Sequence, residues 1–180
     1  MPTQFLLIRH APVAPPARLA GRSNVPCILP ARIPSAPAAD RVLSSPATRC
    51  TATARALYPD ATIPTDPRLW EQDFGAWEGL DFSAMPDLGR LEREQLAAHR
   101  PPGGESHADM AGRVAPALQD LATGGTVAVV AHAGTIRVAL GLALGQMSQG
   151  LAFAIAPLSL TRLSVMDGEW AILSVNEPLR

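Results

Sequence analysis

Between Ala11 and Asp40 the chain carries seven prolines: Pro12, Pro15, Pro16, Pro26, Pro30, Pro34 and Pro37. Each lacks a backbone N–H and clashes with the turn before it, so no long helix can cross this stretch. A long irregular loop is expected instead, and loops of that length in compact domains are usually functional or mobile. The chain therefore has to start with one strand, make a wide excursion, and build the rest of its regular structure afterwards. That opening strand is the apolar run Phe5–Ile8, which closes on the polar pair Arg9-His10.

Beyond the loop, strands and helices alternate. Arg41–Leu43 reads as a strand. Ser45 and Pro46 supply an N-cap and a first-position proline for a helix to about Leu57. Thr62–Thr65 is a further strand candidate. Ser106 and Asp109 form a capping box for a helix through about Leu121, with Met110, Val114 and Leu118 on one face. Thr126–Ala131 is apolar throughout, as in a parallel strand buried on both faces. After His132, Ala133–Leu144 reads as a helix. Ser159–Val165 and Glu169–Val175 flank Asp167-Gly168, a hairpin signal. This order predicts an α/β fold with a mainly parallel sheet. A length of 180 residues suits a single domain over residues 1–180. Such sheets bind ligands beyond the carboxyl ends of their strands, where His10 and His132 are expected.

Composition narrows the chemistry. Hydrophobic residues make up 47%, charged residues 17%, and the net charge is −1, so a folded globular protein is expected. The lack of a basic excess argues against a nucleic-acid partner. All fifteen basic residues are arginine. Without lysine there is no P-loop, no Schiff base and no serine–lysine dyad. Cys27 and Cys50 form no CxxC pair and read as ordinary residues of a reducing compartment. The amino terminus lacks a basic leader region, and Arg137 interrupts the best candidate for a membrane span. A cytoplasmic protein with no membrane partner is expected.

Three further side chains stand out. His10 sits at a strand end. Arg49 lies in the first turn of a helix, where a cation is unfavourable unless an anion is held beside it. Glu71, set among the aromatics and glycines of Leu69–Gly79, is a candidate proton donor. Each alone has a bland reading: a satisfied histidine, a solvated arginine, a surface acid. Together the segments Leu7–Ala11, Ser44–Ala54, Glu71–Gly79, Pro102–Ser106 and Val129–Arg137 resemble the histidine phosphatase superfamily, in the same order along the chain.

That resemblance implies a three-layer α/β sandwich, phosphoglycerate mutase-like, with a shortened first crossover. It implies that His10 is the nucleophile, with its other ring nitrogen held by a backbone carbonyl. Arg9 and Arg49 would clamp the phosphoryl oxygens with planar forks. His132, in its charged or donating form, would bind the same oxygens. Glu71 would protonate the leaving alkoxide and then activate water. Neither metal nor cofactor is needed for this chemistry. A zinc site built on His10 and His132 has no HxH or HExxH spacing behind it.

The chain also departs from the family. Ala11-Pro12 follows His10 where members usually read Gly-Glu, and the asparagine expected a few residues later is absent. The first crossover helix is lost to prolines, so one flank of the sheet should be thinner or covered by a partner subunit in a homodimer. Gly21–Pro26 resembles the family's glycine–aspartate–proline loop with Asn24 in the acid's place, making Arg22 and Asn24 candidate substrate contacts. Between Gly79 and Pro101 only Arg90, Arg93 and Arg100 are basic, which disfavours a mutase with its basic insertion. The run Arg100–Ser106 looks like bacterial α-ribazole phosphatases of cobalamin synthesis. A phosphatase of a small-molecule phosphate ester is the leading expectation. A mutase-type phosphoryl transferase and a non-catalytic phosphate-binding descendant are the alternatives.

Overall fold

The apolar run that opens the chain forms the middle of β1 (Thr3–Arg9) in the computed structural model, which describes residues 1–16 and 18–179. The proline-rich stretch that follows forms no helix or strand among its described residues, only an isolated bridge between Val13 and Cys27. Then come β2 (Arg41–Ser44), α1 (Thr48–Leu57), α2 (Arg93–Ala98), α3 (His107–Leu121), β3 (Gly125–Ala131), α4 (Ala133–Ala143), β4 (Ser159–Met166) and β5 (Glu169–Pro178). Short 3₁₀ turns at Pro67–Leu69, Gly75–Trp77 and Phe82–Ala84 punctuate the long connection from α1 to α2.

The sheet order is β2-β3-β1-β4-β5. Strands β2, β3 and β1 are parallel, β4 is antiparallel to β1, and β5 reverses again. All strands except β4 therefore point the same way. The period of two along β1 splits its side chains between two cores. Phe5 and Leu7 pack with Val127, Val129 and the apolar faces of α3 and α4, including Met110, Val114, Leu118, Ile136 and Leu140. Leu6 and Ile8 pack with Ala128, Val130 and the small residues Ala47, Cys50 and Ala54 at α1. Helices thus cover both faces, α3 and α4 on one and α1 on the other. No helix among the described residues is long and apolar enough to cross a membrane.

Two local expectations are corrected. Thr62–Thr65 makes one bridge, Thr65 to Ser44, and no strand. Ser44 N donates to Pro64 O and Asp66 N donates back to Ser44 O, but Pro64 has no N–H to offer the next rung, so the ladder stops there. Ser45 does not cap α1. The helix begins at Thr48 with Ala47 in the cap position. Its first N–H is satisfied from the proline-rich loop: Thr48 N donates to Asn24 Oδ1 at 2.8 Å, and the Thr48 hydroxyl to the same oxygen at 3.0 Å. By contrast, the Ser106–Asp109 capping box forms as expected.

Candidate active site

Strand register alone brings the two histidines together. Arg9 pairs with Ala131 across β1 and β3, so His10 and His132 are the next residues on neighbouring parallel strands. The ladder continues one step further, with His10 N donating to Ala131 O at 3.0 Å. Ser44 pairs with Val130, which puts Ser45 on the other side of His132. The imidazoles of His10 and His132 meet edge to face, with centroids 5.3 Å apart.

His10 is locked in one tautomer. Its Nδ1 donates to Ala11 O at 2.7 Å, and Ala11 N in turn donates to Thr53 Oγ1 of α1 at 2.9 Å. The proton therefore sits on Nδ1, and Nε2 keeps its lone pair. Burial pushes the pKa of His10 down to about 3; the Ala11 carbonyl opposes that shift, while Arg49 and Arg9 add to it. A neutral imidazole with a held Nδ1–H is the form a nucleophile needs.

His132 corrects one expectation. It is fully buried, and burial, then Arg49, His10 and Arg9, hold its pKa well below the usual value, so the charged form is disfavoured. Nδ1 lies 3.4 Å from Arg49 Nη2, which can only donate. The proton is thus assigned to Nε2, which donates to Ser45 Oγ at 2.8 Å. The Ser45 hydroxyl that the sequence suggested as a helix cap orients this imidazole instead. Trp70 stacks on its face with centroids 6.4 Å apart.

The arginines divide the work. Arg9 donates through Nη1 to Ile155 O and lines the cleft beside His10. Burial lowers its pKa, with Glu71 opposing and Arg137 and Arg49 adding to the effect. Arg49 is fully buried and grips the proline-rich loop, donating to Ser23 O (2.8 Å), Gly21 O (2.7 Å) and Ala20 O (3.2 Å). These carbonyls supply the negative partner that the first turn of α1 needed. Arg9 Nε and Arg49 Nε remain buried donors without a partner among the described residues. An unmade hydrogen bond of this kind costs about 1–3 kcal/mol, and a ligand oxygen would relieve it.

Glu71 reaches the site from a segment without regular structure. Its carboxylate accepts from Gln72 N at 3.0 Å and from Gly134 N, in the first turn of α4, at 3.2 Å. Arg9, His10, Glu71 and Arg137 share a cleft of about 420 Å³ whose remaining wall includes Leu19, Phe74 and Phe82. A depression of about 590 Å³ elsewhere is lined by Ala36, Leu160 and Leu179; its one arginine, Arg162, is paired with Glu177. Among the described residues, no three His, Cys, Asp or Glu side chains are placed to hold a metal ion.

Arg22 and Asn24 are not brought to the cleft. The Arg22 guanidinium lies over the Trp70 ring, 5.8 Å from its centroid, and 3.5 Å from Glu105. Asn24 is occupied with α1. Their loop is shaped by Glu78, whose carboxylate accepts from the N–H groups of Gly21, Arg22, Ser23 and Phe74 and from the Ser23 hydroxyl. Burial alone would raise the Glu78 pKa, but these donors outweigh it and hold the group below its usual range. A side chain at Gly21 would collide with Gln72 O and Glu78, which explains glycine there.

A second network fixes Glu71. Arg113 of α3 donates to the carbonyls of Arg68 (2.8 Å), Trp70 (2.7 Å) and Glu71 (2.8 Å), and forks onto both oxygens of Glu105. Glu105 also accepts from Asp73 N at 3.0 Å. No local pattern marks Arg113, because the carbonyls it holds lie more than forty residues away. For Glu78 the surrounding glycines were the available signal.

The family model of the histidine phosphatase superfamily, branch 1, matches residues 29–178. The chain belongs to this superfamily. Its fold is shared with the mycobacterial glucosyl-3-phosphoglycerate phosphatase (TM-score 0.81, 24% identity, 98% of this chain and 100% of that one). It is shared as well with the phosphoserine phosphatase of Entamoeba histolytica (0.76, 20%, 97% and 96%). A candidate α-ribazole-5′-P phosphatase of Escherichia coli is equally similar in fold (0.79, 19%, 98% and 97%). A bifunctional protein of Mycobacterium tuberculosis is 37% identical over 151 residues, 76% of this chain. The chain spans only 40% of that relative's length.

Proposed function

We propose that this histidine phosphatase is a cytoplasmic, metal-independent enzyme that hydrolyses a small-molecule phosphomonoester through phospho-His10. The observation that carries the reading is the His10 Nδ1–Ala11 O bond of 2.7 Å, which leaves Nε2 as an unprotonated nucleophile in the arginine-lined cleft. Nε2 attacks phosphorus, and the ester P–O bond breaks with its electron pair going to the alcohol oxygen. That oxygen takes the proton of Glu71. Arg9 and Arg49 hold the phosphoryl oxygens through the donors left unpaired. Water then attacks the phosphorus and gives its proton to the Glu71 carboxylate; the P–N pair returns to Nε2 and inorganic phosphate leaves.

For the specific substrate, the Arg100–Ser106 run and the likeness to the E. coli protein support α-ribazole 5′-phosphate, a step of cobalamin synthesis. The test is hydrolysis of p-nitrophenyl phosphate and α-ribazole 5′-phosphate with chelator present, for wild type and His10→Ala, with acid-labile phosphate captured on the protein. Activity and label should survive chelator and vanish in the variant. Turnover by His10→Ala, or its loss to chelator alone, would overturn the reading.

A further inference from the structure

The cleft has two chemically different halves. Around His10 the cleft is cationic: Arg9 and Arg137 line it, and Arg49, buried against His132 and outside the lining, adds its charge to the field at His10. Arg137 is anchored by Nε to Phe153 O at 3.1 Å, and none of the three forms an ion pair among the described residues. Glu71 is the one acid in the lining. Three guanidiniums against one carboxylate match a single phosphoryl dianion. Moving outward, the wall turns apolar, with Pro12, Val13, Leu19, Phe74, Phe82 and Pro157. Phe82 is 62% exposed, a large aromatic ring left facing solvent at the rim. The remaining cation, Arg18, is paired with Asp81 at 3.5 Å, so the rim holds no excess charge for a second anion.

Building on the phosphatase reading, we infer that this cleft selects phosphomonoesters whose alcohol is uncharged and apolar or aromatic, with Phe82, Phe74 and Leu19 as the leaving-group subsite and Arg137 as a further phosphoryl contact. A substrate carrying a carboxylate beside its phosphate would place that charge against the phenyl rings, away from any uncommitted cation. Its desolvation would be uncompensated. An apolar alcohol would instead cover the Phe82 ring.

The test compares benzyl phosphate with 3-phosphoglycerate and phosphoserine, all esters of primary alcohols, so that leaving-group basicity does not dominate. p-Nitrophenyl phosphate reports the parent activity. Wild type should favour benzyl phosphate by at least about tenfold in kcat/KM, the scale of a small apolar contact. Phe82→Ala should remove most of that preference, chiefly by raising KM for benzyl phosphate; the ring is 62% exposed and is not needed for the core. Arg137→Gln should weaken inorganic phosphate as a competitive inhibitor. Equal or better turnover of the two carboxylates by wild type would overturn the inference and leave the phosphatase reading standing. A Phe82→Ala variant with unchanged preference would also overturn it. No turnover of any ester, p-nitrophenyl phosphate included, would remove both.

Discussion

A single methyl group at Gly134 tests whether Glu71 is held where it must act. Gly134 sits in the first turn of α4, and its N–H donates to Glu71 Oε2 at 3.2 Å. A Cβ built there falls inside the contact envelope of Glu71 Oε1 and lies 2.8 Å from Met110 Sδ, where real Cβ contacts stay above 3.0 Å. The thioether can yield, because methionine is flexible. The carboxylate has to retreat by roughly 1 Å, and a misplacement of that size costs about 10²-fold in rate. Stability should move little, since Gly→Ala within a helix contributes up to about 1 kcal/mol and offsets the strain at Met110. Gly134→Ala is therefore expected to keep its thermal midpoint within a few degrees of wild type while kcat for benzyl phosphate falls about 10²-fold. The loss should be smaller for p-nitrophenyl phosphate, whose leaving group needs no proton. Gly112→Ala in α3 is the control: a Cβ there meets nothing within 4 Å, so activity should be unchanged. If Gly134→Ala retained wild-type kcat on both esters, Glu71 would not be the proton donor, or Gly134 would not be what positions it.

Other outcomes follow from the networks around the site. Arg113→Gln releases the carbonyls of Arg68, Trp70 and Glu71 together, so kcat for alkyl phosphates should fall more than kcat for p-nitrophenyl phosphate, with KM little changed. Asn24→Ala removes the acceptor at the start of α1 and should cost about 1 kcal/mol in urea unfolding while leaving Nε2 chemistry in place. His10 and His107, with pKa values lowered by burial to about 3 and about 4, and His132, also held well below its usual value by burial, bind fewer protons folded than unfolded below pH 6.5. Their contribution is complete above pH 6.5 and is lost as pH falls towards 4, by up to about 1.4 kcal/mol per pH unit for each histidine. Denaturant midpoints measured at pH 7 and pH 4.5 should show this; a flat profile would mean that the three rings are not buried neutral.

Much of the active face was legible because it rests on local signals. Phe5–Ile8 and Thr126–Ala131 are uninterrupted apolar runs, and each stops at a histidine. Once both are parallel strands, their register follows from burial on both faces, and His10 and His132 become neighbours. The capping box at Ser106 and the Asp167-Gly168 turn depend only on residues a few positions apart, and both formed. Ser45 and Asn24 were misread because each can satisfy more than one donor. Proximity in sequence favoured Ser45 as the cap, but the end of β2 turns its hydroxyl to His132, and Asn24 arrives from the loop to cap α1 instead.

The sequence by itself determined the alternation of elements, the absence of a first crossover helix, and the placing of two histidines and an arginine at strand ends. These follow from periodicity, from proline's missing N–H and from the two-sided burial of parallel strands. Only the tertiary structure decided which donor meets which acceptor. Arg49 grips carbonyls of the loop, Glu78 gathers its N–H groups, and Arg113 holds the backbone of Glu71. Each of these bonds joins segments far apart in the chain, and each forms because burial leaves those groups no water to bond instead.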